Sequence, residues 1–235
     1  MTLASFKDLI VKAGDALALA AFWGRILGAE STDLGDASAR LDADGFRVWV
    51  DPVPEPHPGQ TRVHLDLRLP TADPAALVAA GAQVRREPGG DIGWWVLADP
   101  EGSEFCAFPP REGYASGVDE LVTASADPVP LAHWWAGILG GTVREQPYGA
   151  DLTGAAGFPW RTWCFDRVAD PRVAPNRWHW DVTLTGGATV AAVQAAGARL
   201  IRPRGGDLHW SVFKDPDGND FCVFEAPEAS PPTTA

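Results

Sequence analysis

Cysteines, basic residues and long apolar segments are all scarce in this sequence of 235 residues. There are three cysteines, an odd number, and no two of them have CxxC spacing. This usage is typical of reduced cysteines that lie on strands and are buried in the core of a cytoplasmic protein, and it argues against a disulfide framework. The apolar run at 16–23 lies between Asp15, the predicted N-cap of a helix, and Arg25, and it has a helical period. We therefore expect neither a signal peptide nor a membrane span.

Positive charge is in short supply too. The chain has 19 Lys and Arg against 31 Asp and Glu, which gives a formal net charge of −12. Such a surface repels phosphate backbones and anionic lipids, so we expect neither nucleic acid nor a membrane as a partner. Hydrophobic residues make up 46% of the chain, which is enough for a packed core. A small-molecule ligand or substrate is the remaining class of partner.

The most informative feature of the sequence is an internal repeat. GGDIGWWVLADPEGSEFCAF at 89–108 recurs as GGDLHWSVFKDPDGNDFCVF at 205–224. Two further pairs recur in the same order: LAAFWGRILGA at 19–29 with LAHWWAGILGG at 131–141, and RVHLDLRL at 62–69 with RWHWDVTL at 177–184. A repeat of this size indicates duplicated domains and not a solenoid. We place the halves at 4–112 and 117–227.

Within each half, one strand, one helix and several strands are written twice. RVHLDLRL alternates like a strand, DPAALVAAG has the start and stop residues of a helix, and GWWVLADPEGSEFCAF reads as a hairpin around DPEG. A helix followed by a meander, and not by another strand–helix unit, favours an α+β fold with mixed sheets.

These motifs resemble the vicinal oxygen chelate superfamily. FWGRILG, RVHLDL, DPAALVAAGA and DPEGSEFCAF look like its glyoxalase-like and bleomycin-resistance-like domains, and the second half matches through HWWAGILGG, RWHWDV and DPDGNDFCVF. The resemblance implies four βαβββ modules, paired within each half into a domain whose curled sheets enclose a cleft. It also implies either a monomer, complete through internal duplication, or a homodimer.

The resemblance further implies where a metal would bind. In the first half, the matching positions are His64 and Glu104, with Asp8 as a third ligand. In the second half they are His179, Asp220 and Glu120. The remaining ligand position of each half, on the last strand of its other module, is held by Arg47 in the first half and by Thr162 in the second. An arginine cannot coordinate a cation. Two alternatives stay open: one divalent ion (zinc, iron, manganese or nickel), or no metal and an ion pair between Arg47 and Glu104.

Tryptophan is abundant, with eleven residues. Tryptophans on strands either fill the core or give a cleft a stacking surface for a planar ligand. Because neighbours on a strand face opposite sides, Trp94 and Trp95 cannot both be core. Candidate ligand-binding residues are Trp49, Trp94, Trp95, Trp210, Arg47, His179 and His209. Asp66 and Asp181 either orient the nearby histidines or bond Arg62 and Arg177.

Together with these residues, the resemblance implies two functions. The first is a small-molecule-binding protein that sequesters or transforms an apolar or aromatic metabolite or drug in an aromatic-lined cleft. The second is a metal-dependent lyase, isomerase or dioxygenase with His64 and Glu104 as catalytic residues. Because Arg47 and Thr162 stand at expected ligand positions, the sequence favours the first.

Overall fold

The computed structural model describes residues 2–54, 61–169 and 176–226, and its elements repeat one βαβββ order four times. The first module comprises β1 (Ala4–Ala13), α1 (Ala16–Leu27), β2 (Glu30–Asp33), β3 (Ala39–Ala43) and β4 (Phe46–Pro52). The second comprises β5 (Val63–Arg68), α2 (Ala75–Ala80), β6 (Gln83–Arg86), β7 (Trp95–Ala98) and β8 (Glu104–Phe108). The third comprises β9 (Gly117–Ser125), α3 (Pro128–Leu139), β10 (Thr142–Gln146), β11 (Gly149–Thr153) and β12 (Thr162–Arg167). The fourth comprises β13 (Trp178–Leu184), α4 (Val190–Ala195), β14 (Arg199–Arg202), β15 (Ser211–Lys214) and β16 (Asp220–Phe224). The α+β prediction is confirmed.

Local side-chain contacts set the helix ends. The Asp15 carboxylate accepts the N–H of Ala18 at 3.0 Å and so caps α1, as the sequence predicts. The same helix ends at Gly28, whose φ of 63° is left-handed. Among the residues described, no helix has the length and apolar character that a membrane crossing requires.

The strands form two mixed sheets of eight strands each. The terminal sheet joins the first and fourth modules in the order β14-β15-β16-β13-β1-β4-β3-β2. The central sheet joins the second and third modules in the order β10-β11-β12-β9-β5-β8-β7-β6. In each sheet the first strands of the two modules are antiparallel neighbours, and the pairing skips one residue, Lys7 on β1 and Asp119 on β9. Such a skipped residue is a β-bulge.

The pairing of modules differs from the expected one. We expected the two modules of each half to share a cleft, but each sheet takes one module from each half. The strand pattern of the sequence fits either pairing, because the first strand of every module offers the same edge. The limits 4–112 and 117–227 therefore remain predicted limits of the sequence repeat, and residue 227 lies outside the described residues.

Tryptophans fill the space between the sheets. Trp163 on β12 of the central sheet contacts Trp180 on β13 of the terminal sheet, with ring centroids 4.8 Å apart. Trp135 of α3 lies 5.0 Å from Trp163, and Trp23 of α1 lies 5.4 Å from Trp178. All five are fully buried. These residues belong to the core between the sheets.

Candidate functional site

A cavity of about 690 Å³ lies against one face of the central sheet. Alternation along β5 explains why polar groups line it, since successive residues on a strand face opposite sides. Val63, Leu65 and Leu67 are buried in the core. The residues between and after them, His64, Asp66 and Arg68, line the cavity. The third module and the segment after β8 supply the opposite wall.

Three lining side chains form what we call the central cluster: His64, Asp66 and Cys106. His64 Nε2 lies 3.3 Å from Asp66 Oδ1 and 3.9 Å from Cys106 Sγ. Asp66 and Cys106 are register partners on the parallel strands β5 and β8. One candidate ligand atom from each residue lies within 4.8 Å of the other two.

The electrostatics of the central cluster are unusual for a buried site. Burial disfavours the charged imidazole, but the Asp66 carboxylate and then the Cys106 sulfur raise the pKa of His64 well above its ordinary value. Burial likewise raises the pKa of the Cys106 thiol. Among the described residues, the buried Asp66 Oδ1 makes no hydrogen bond, although it lies 3.3 Å from His64 Nε2. A buried carboxylate oxygen without a partner is costly, and a ligand that satisfied it would be favoured.

Glu120 extends the acidic part of the cavity. It lies on β9, in register with Asp66 across the antiparallel pair. Burial, followed by the negative charges of Asp66 and Asp119, raises the pKa of Glu120 to about 7. A carboxyl group with this pKa can accept or donate a proton near neutral pH.

Two arginines hold the bulge residue of β9. Arg68 Nη2 donates to Asp119 Oδ2 at 2.6 Å, and Arg161 Nη2 donates to Asp119 Oδ1 at 2.8 Å. Arg161 Nη2 also donates to Glu120 Oε1 at 2.9 Å. The Tyr114 ring lies 4.2 Å from the Arg161 guanidinium and 5.2 Å from that of Arg68. These lining residues therefore form one connected ionic and aromatic network.

The cavity also has a planar aromatic surface. Trp94 stacks on Phe108 with ring centroids 5.2 Å apart and an interplanar angle of 25°. Both residues line the cavity, together with Tyr114 and Tyr148. A planar organic ligand could stack on these rings while its polar groups reach the central cluster.

A model of the glyoxalase-like domain family matches residues 8–108 and again residues 120–224. The chain belongs to this family. Glyoxalase I from Zea mays has a similar structure, with a TM-score of 0.68 and 17% identity over 94% of this chain and 92% of that one. A putative dioxygenase from Bacillus subtilis gives a TM-score of 0.59 and 13% identity over 97% of this chain and 87% of that one. At these identities the likeness concerns the fold alone. A search of curated protein sequences finds no significant match.

The central cluster of this glyoxalase-like chain fits a divalent metal. An imidazole nitrogen, a carboxylate oxygen and a thiolate sulfur are donors that zinc, iron and related ions accept. The specific observation in favour of the fit is that the buried Asp66 Oδ1 makes no hydrogen bond with any described residue, since a bound cation would satisfy it. His64, Asp66 and Cys106 would hold the ion.

The expected pairing of His64 with Glu104 is wrong. Glu104 lies two residues before Cys106 at the start of β8, in register with Ala98, and it does not line the cavity. Cys106 occupies the place beside His64. The cysteine was expected in the core, but Phe105 and Ala107 take the buried face of β8, so alternation turns Cys106 to the cavity.

The first-strand acids Asp8 and Glu120 are exchanged relative to the expectation. Asp8 was grouped with His64, but it lies on β1 of the terminal sheet, in register with Asp181. Glu120 was grouped with His179, but it lies opposite Asp66 in the central sheet. The cause is the pairing of modules across the two halves of the chain.

The terminal sheet repeats the same three residue types in a terminal cluster: His179, Asp181 and Cys222. Burial, together with the charge of Lys12, lowers the pKa of His179 to about 3. Asp220, the expected metal ligand, instead pairs with Lys214 at 2.7 Å. As with Glu104, the cysteine two residues further along the strand takes its place.

The remaining candidate ligand-binding residues are dispersed. Trp49 donates its Nε1–H to Asp8 Oδ2 at 3.0 Å in the terminal sheet. Arg47 donates to Asp42 at 2.8 Å, so the expected pair with Glu104 does not form. Trp95 donates to the Ala72 carbonyl at 3.1 Å and packs against the core.

Two candidates of the fourth module lie in the terminal sheet and its loops. Trp210 stacks on Phe224, with ring centroids 5.4 Å apart, just as Trp94 stacks on Phe108. His209 is exposed in the loop between β14 and β15. Thus only His64, Trp94 and Glu120 of the candidate site residues line the cavity.

Sequence reasoning missed several cavity residues. Cys106 could have been found from strand alternation, since Phe105 and Ala107 are the apolar positions beside it. Arg161 and Tyr114 lie outside the strands, and no periodicity places a loop side chain. Asp119 reaches the cavity through a bulge that the pattern of β9 does not reveal.

Proposed function

We propose that the central cleft is the working site of a metal-dependent enzyme of the lyase, isomerase or dioxygenase type, which acts on a small organic substrate. The observation that carries the proposal is the cluster of His64, Asp66 and Cys106, in which the buried Asp66 Oδ1 makes no hydrogen bond within the described part of the chain and lies 3.3 Å from His64 Nε2. A cation held there would lie directly on a cavity large enough for a substrate.

In the sequence, a metal was disfavoured because Arg47 and Thr162 occupy two of the expected ligand positions. Arg47 is bound to Asp42 in the terminal sheet and therefore bears on no ligand of the central cluster. Thr162 is buried beside Glu120, while Cys164 and Asp166 of the same strand line the cavity. The proposal therefore reverses the preference drawn from the sequence.

Each part of the cavity has a distinct task in this proposal. A bound cation would supply Lewis acidity, which polarises an oxygen atom of the substrate. Glu120 would move a proton at a neighbouring atom, because its pKa of about 7 lets it act in both directions near neutral pH. The Trp94–Phe108 stack would orient a planar part of the substrate.

Metal analysis of the purified protein tests the proposal. We expect about one zinc, iron, manganese or nickel ion per chain, lost in His64→Ala and Cys106→Ala because each change removes a ligand. Cys164→Ala is the matched control: Cys164 also lines the cavity, but it donates to Asp166 at 3.2 Å and is not part of the cluster. Wild-type protein that stays metal-free after incubation with each ion would contradict the proposal.

A metal-free binding protein is the second candidate, and the aromatic surface favours it. Tryptophan fluorescence measured against a panel of aromatic metabolites tests this function. Quenching that persists in the presence of a chelator and disappears in Trp94→Ala would support it. Trp49→Ala serves as the control, since Trp49 lies in the terminal sheet.

A further inference from the structure

The two clusters of the chain have the same ligand types in the same places. His64, Asp66 and Cys106 lie on the first and last strands of the second module, and His179, Asp181 and Cys222 lie on those of the fourth. Each Asp also faces an acid on the first strand of the neighbouring module, Glu120 opposite Asp66 and Asp8 opposite Asp181. Since both clusters offer the same ligand atoms, these atoms do not explain why one cluster would bind a cation and the other would not.

One difference between the clusters is the bulge residue. The pairing of β1 with β13 skips Lys7, and the pairing of β9 with β5 skips Asp119. Each bulge immediately precedes the acid that faces the cluster, Asp8 in one case and Glu120 in the other. The same backbone position thus carries a positive side chain in one sheet and a negative side chain in the other.

Lys7 lies against the carboxylates of the terminal cluster. Its Nζ pairs with Asp8 and lies 3.8 Å from Asp181 Oδ2. The same ammonium lies 4.4 Å from the centre of the Phe224 ring, which is itself stacked on Trp210. An ion pair, a second carboxylate and an aromatic face therefore fix the charge beside the cluster.

Among the residues that the structure describes, no lysine or arginine lies within 4.0 Å of the corresponding carboxylate of the central cluster. Within the described parts of the chain, His64 is the one basic residue within 4.0 Å of Asp66. Asp119, in the place of Lys7, is held by Arg68 and Arg161. As far as the structure describes the chain, each cluster has one buried atom without a hydrogen bond, Asp66 Oδ1 in one and His179 Nδ1 in the other, but only Asp181 lies beside a lysine.

We propose that Lys7 acts as a built-in cation that keeps the terminal cluster free of metal, so that the chain holds one divalent ion and not two. The inference rests on the proposed metal site in the central cluster. A divalent ion at the terminal cluster would meet a fixed positive charge a few ångströms away, and the carboxylates it needs are already neutralised. We expect the ammonium to weaken binding there by at least about 100-fold.

Titration with Co²⁺ tests the inference, because a cysteine ligand gives cobalt a charge-transfer absorption in the near ultraviolet. We expect wild-type protein to bind one equivalent and Lys7→Met, which keeps the apolar stem on Phe224, to bind two. In Cys106→Ala the thiolate band should disappear. It should return in Lys7→Met/Cys106→Ala and be lost again when Cys222→Ala is added.

Lys214→Met is the matched control. It removes the same charge from the same sheet, but Lys214 pairs with Asp220 outside the cluster, so it should still bind one equivalent. A folded Lys7→Met that still binds one equivalent, or wild-type protein that binds two, would overturn the inference. If Lys7→Met does not fold, Lys7→Gln takes its place.

The test separates this inference from the proposed function. Wild-type protein without cobalt, together with a Lys7→Met that gains one ion through Cys222, would reject the central site and keep the role of Lys7. Absence of cobalt from both proteins would reject both.

Discussion

Glu120 carries the clearest pH dependence among individual residues. Its pKa is raised from 4.5 to about 7, first by burial and then by Asp66 and Asp119. The native state therefore keeps a proton that the unfolded chain releases, and folding stability falls as the pH rises from 4.5 to about 7. In metal-free protein, we expect wild type to lose stability relative to Glu120→Gln across this window. Urea unfolding of both proteins on each side of the window measures it, and parallel pH profiles would contradict the assignment.

Strand alternation correctly predicted some of the residues that face the cleft and missed others. It predicted that His64 and Asp66 face the cleft, because Val63, Leu65 and Leu67 on the same strand are apolar and buried. The same rule, applied from Phe105, would have turned Cys106 to the cleft as well. The sequence could not show which acid faces His64, since that depends on which modules pair.

Among the elements, the loop between β11 and β12 makes a contact that joins the two sheets. The Phe6 N–H on β1 donates to the Ala156 carbonyl at 2.8 Å. The next residue of the loop, Gly157, has a φ of 71°, and a Cβ there would lie 2.2 Å from Ser5 Oγ and 2.4 Å from the Phe6 carbonyl oxygen. The loop therefore fits against β1 only with glycine at this position.

Substitution of two glycines in this region separates backbone strain from steric contact. Gly154 has a similar φ of 69°, but a Cβ added there would have no other atom within 4 Å. We expect Gly154→Ala to cost about 1 kcal/mol through its left-handed backbone, and Gly157→Ala to cost about 2 kcal/mol more through the clash. Urea unfolding measures both. Equal losses would show that the contact with β1 is not tight.

The order of elements was predictable, but their pairing was not. DPEG and DPDG gave the hairpins, and Asp15 gave the start of α1, because turns and caps depend on local chemistry. The first strands of all four modules are similar, so the sequence does not show that β5 pairs with β9 and β1 with β13. All four modules offer the same strand edge. The prediction that the two modules of each half pair with each other was therefore wrong.

Over the whole molecule, two arginines connect the second and fourth modules. Arg62, just before β5, donates to the Asp217 carboxylate at 2.9 Å, and Arg177, just before β13, donates to the Glu101 carboxylate at 2.8 Å. Asp217 and Glu101 lie in the equivalent hairpin turns. The alternative in which these arginines bond Asp66 and Asp181 is therefore not seen.

Arg177 should matter far more to stability than Arg62. Arg177 is fully buried and lies 3.7 Å from Asp99, also fully buried, so Arg177→Ala leaves a buried carboxylate without its counter-ion. We expect this change to cost about 3–5 kcal/mol. Arg62→Ala, whose partner Asp217 is partly exposed, should cost about 1 kcal/mol. Urea unfolding of both variants gives the comparison, and similar losses would contradict it.

Anomalous X-ray diffraction from crystals of metal-loaded protein would locate the bound ion. We expect one anomalous peak, placed between His64 Nε2, Asp66 Oδ1 and Cys106 Sγ, and none at His179 and Cys222. A loaded protein with no peak at the central cluster, or with its peak elsewhere in the chain, would show that the central cluster is not the metal site.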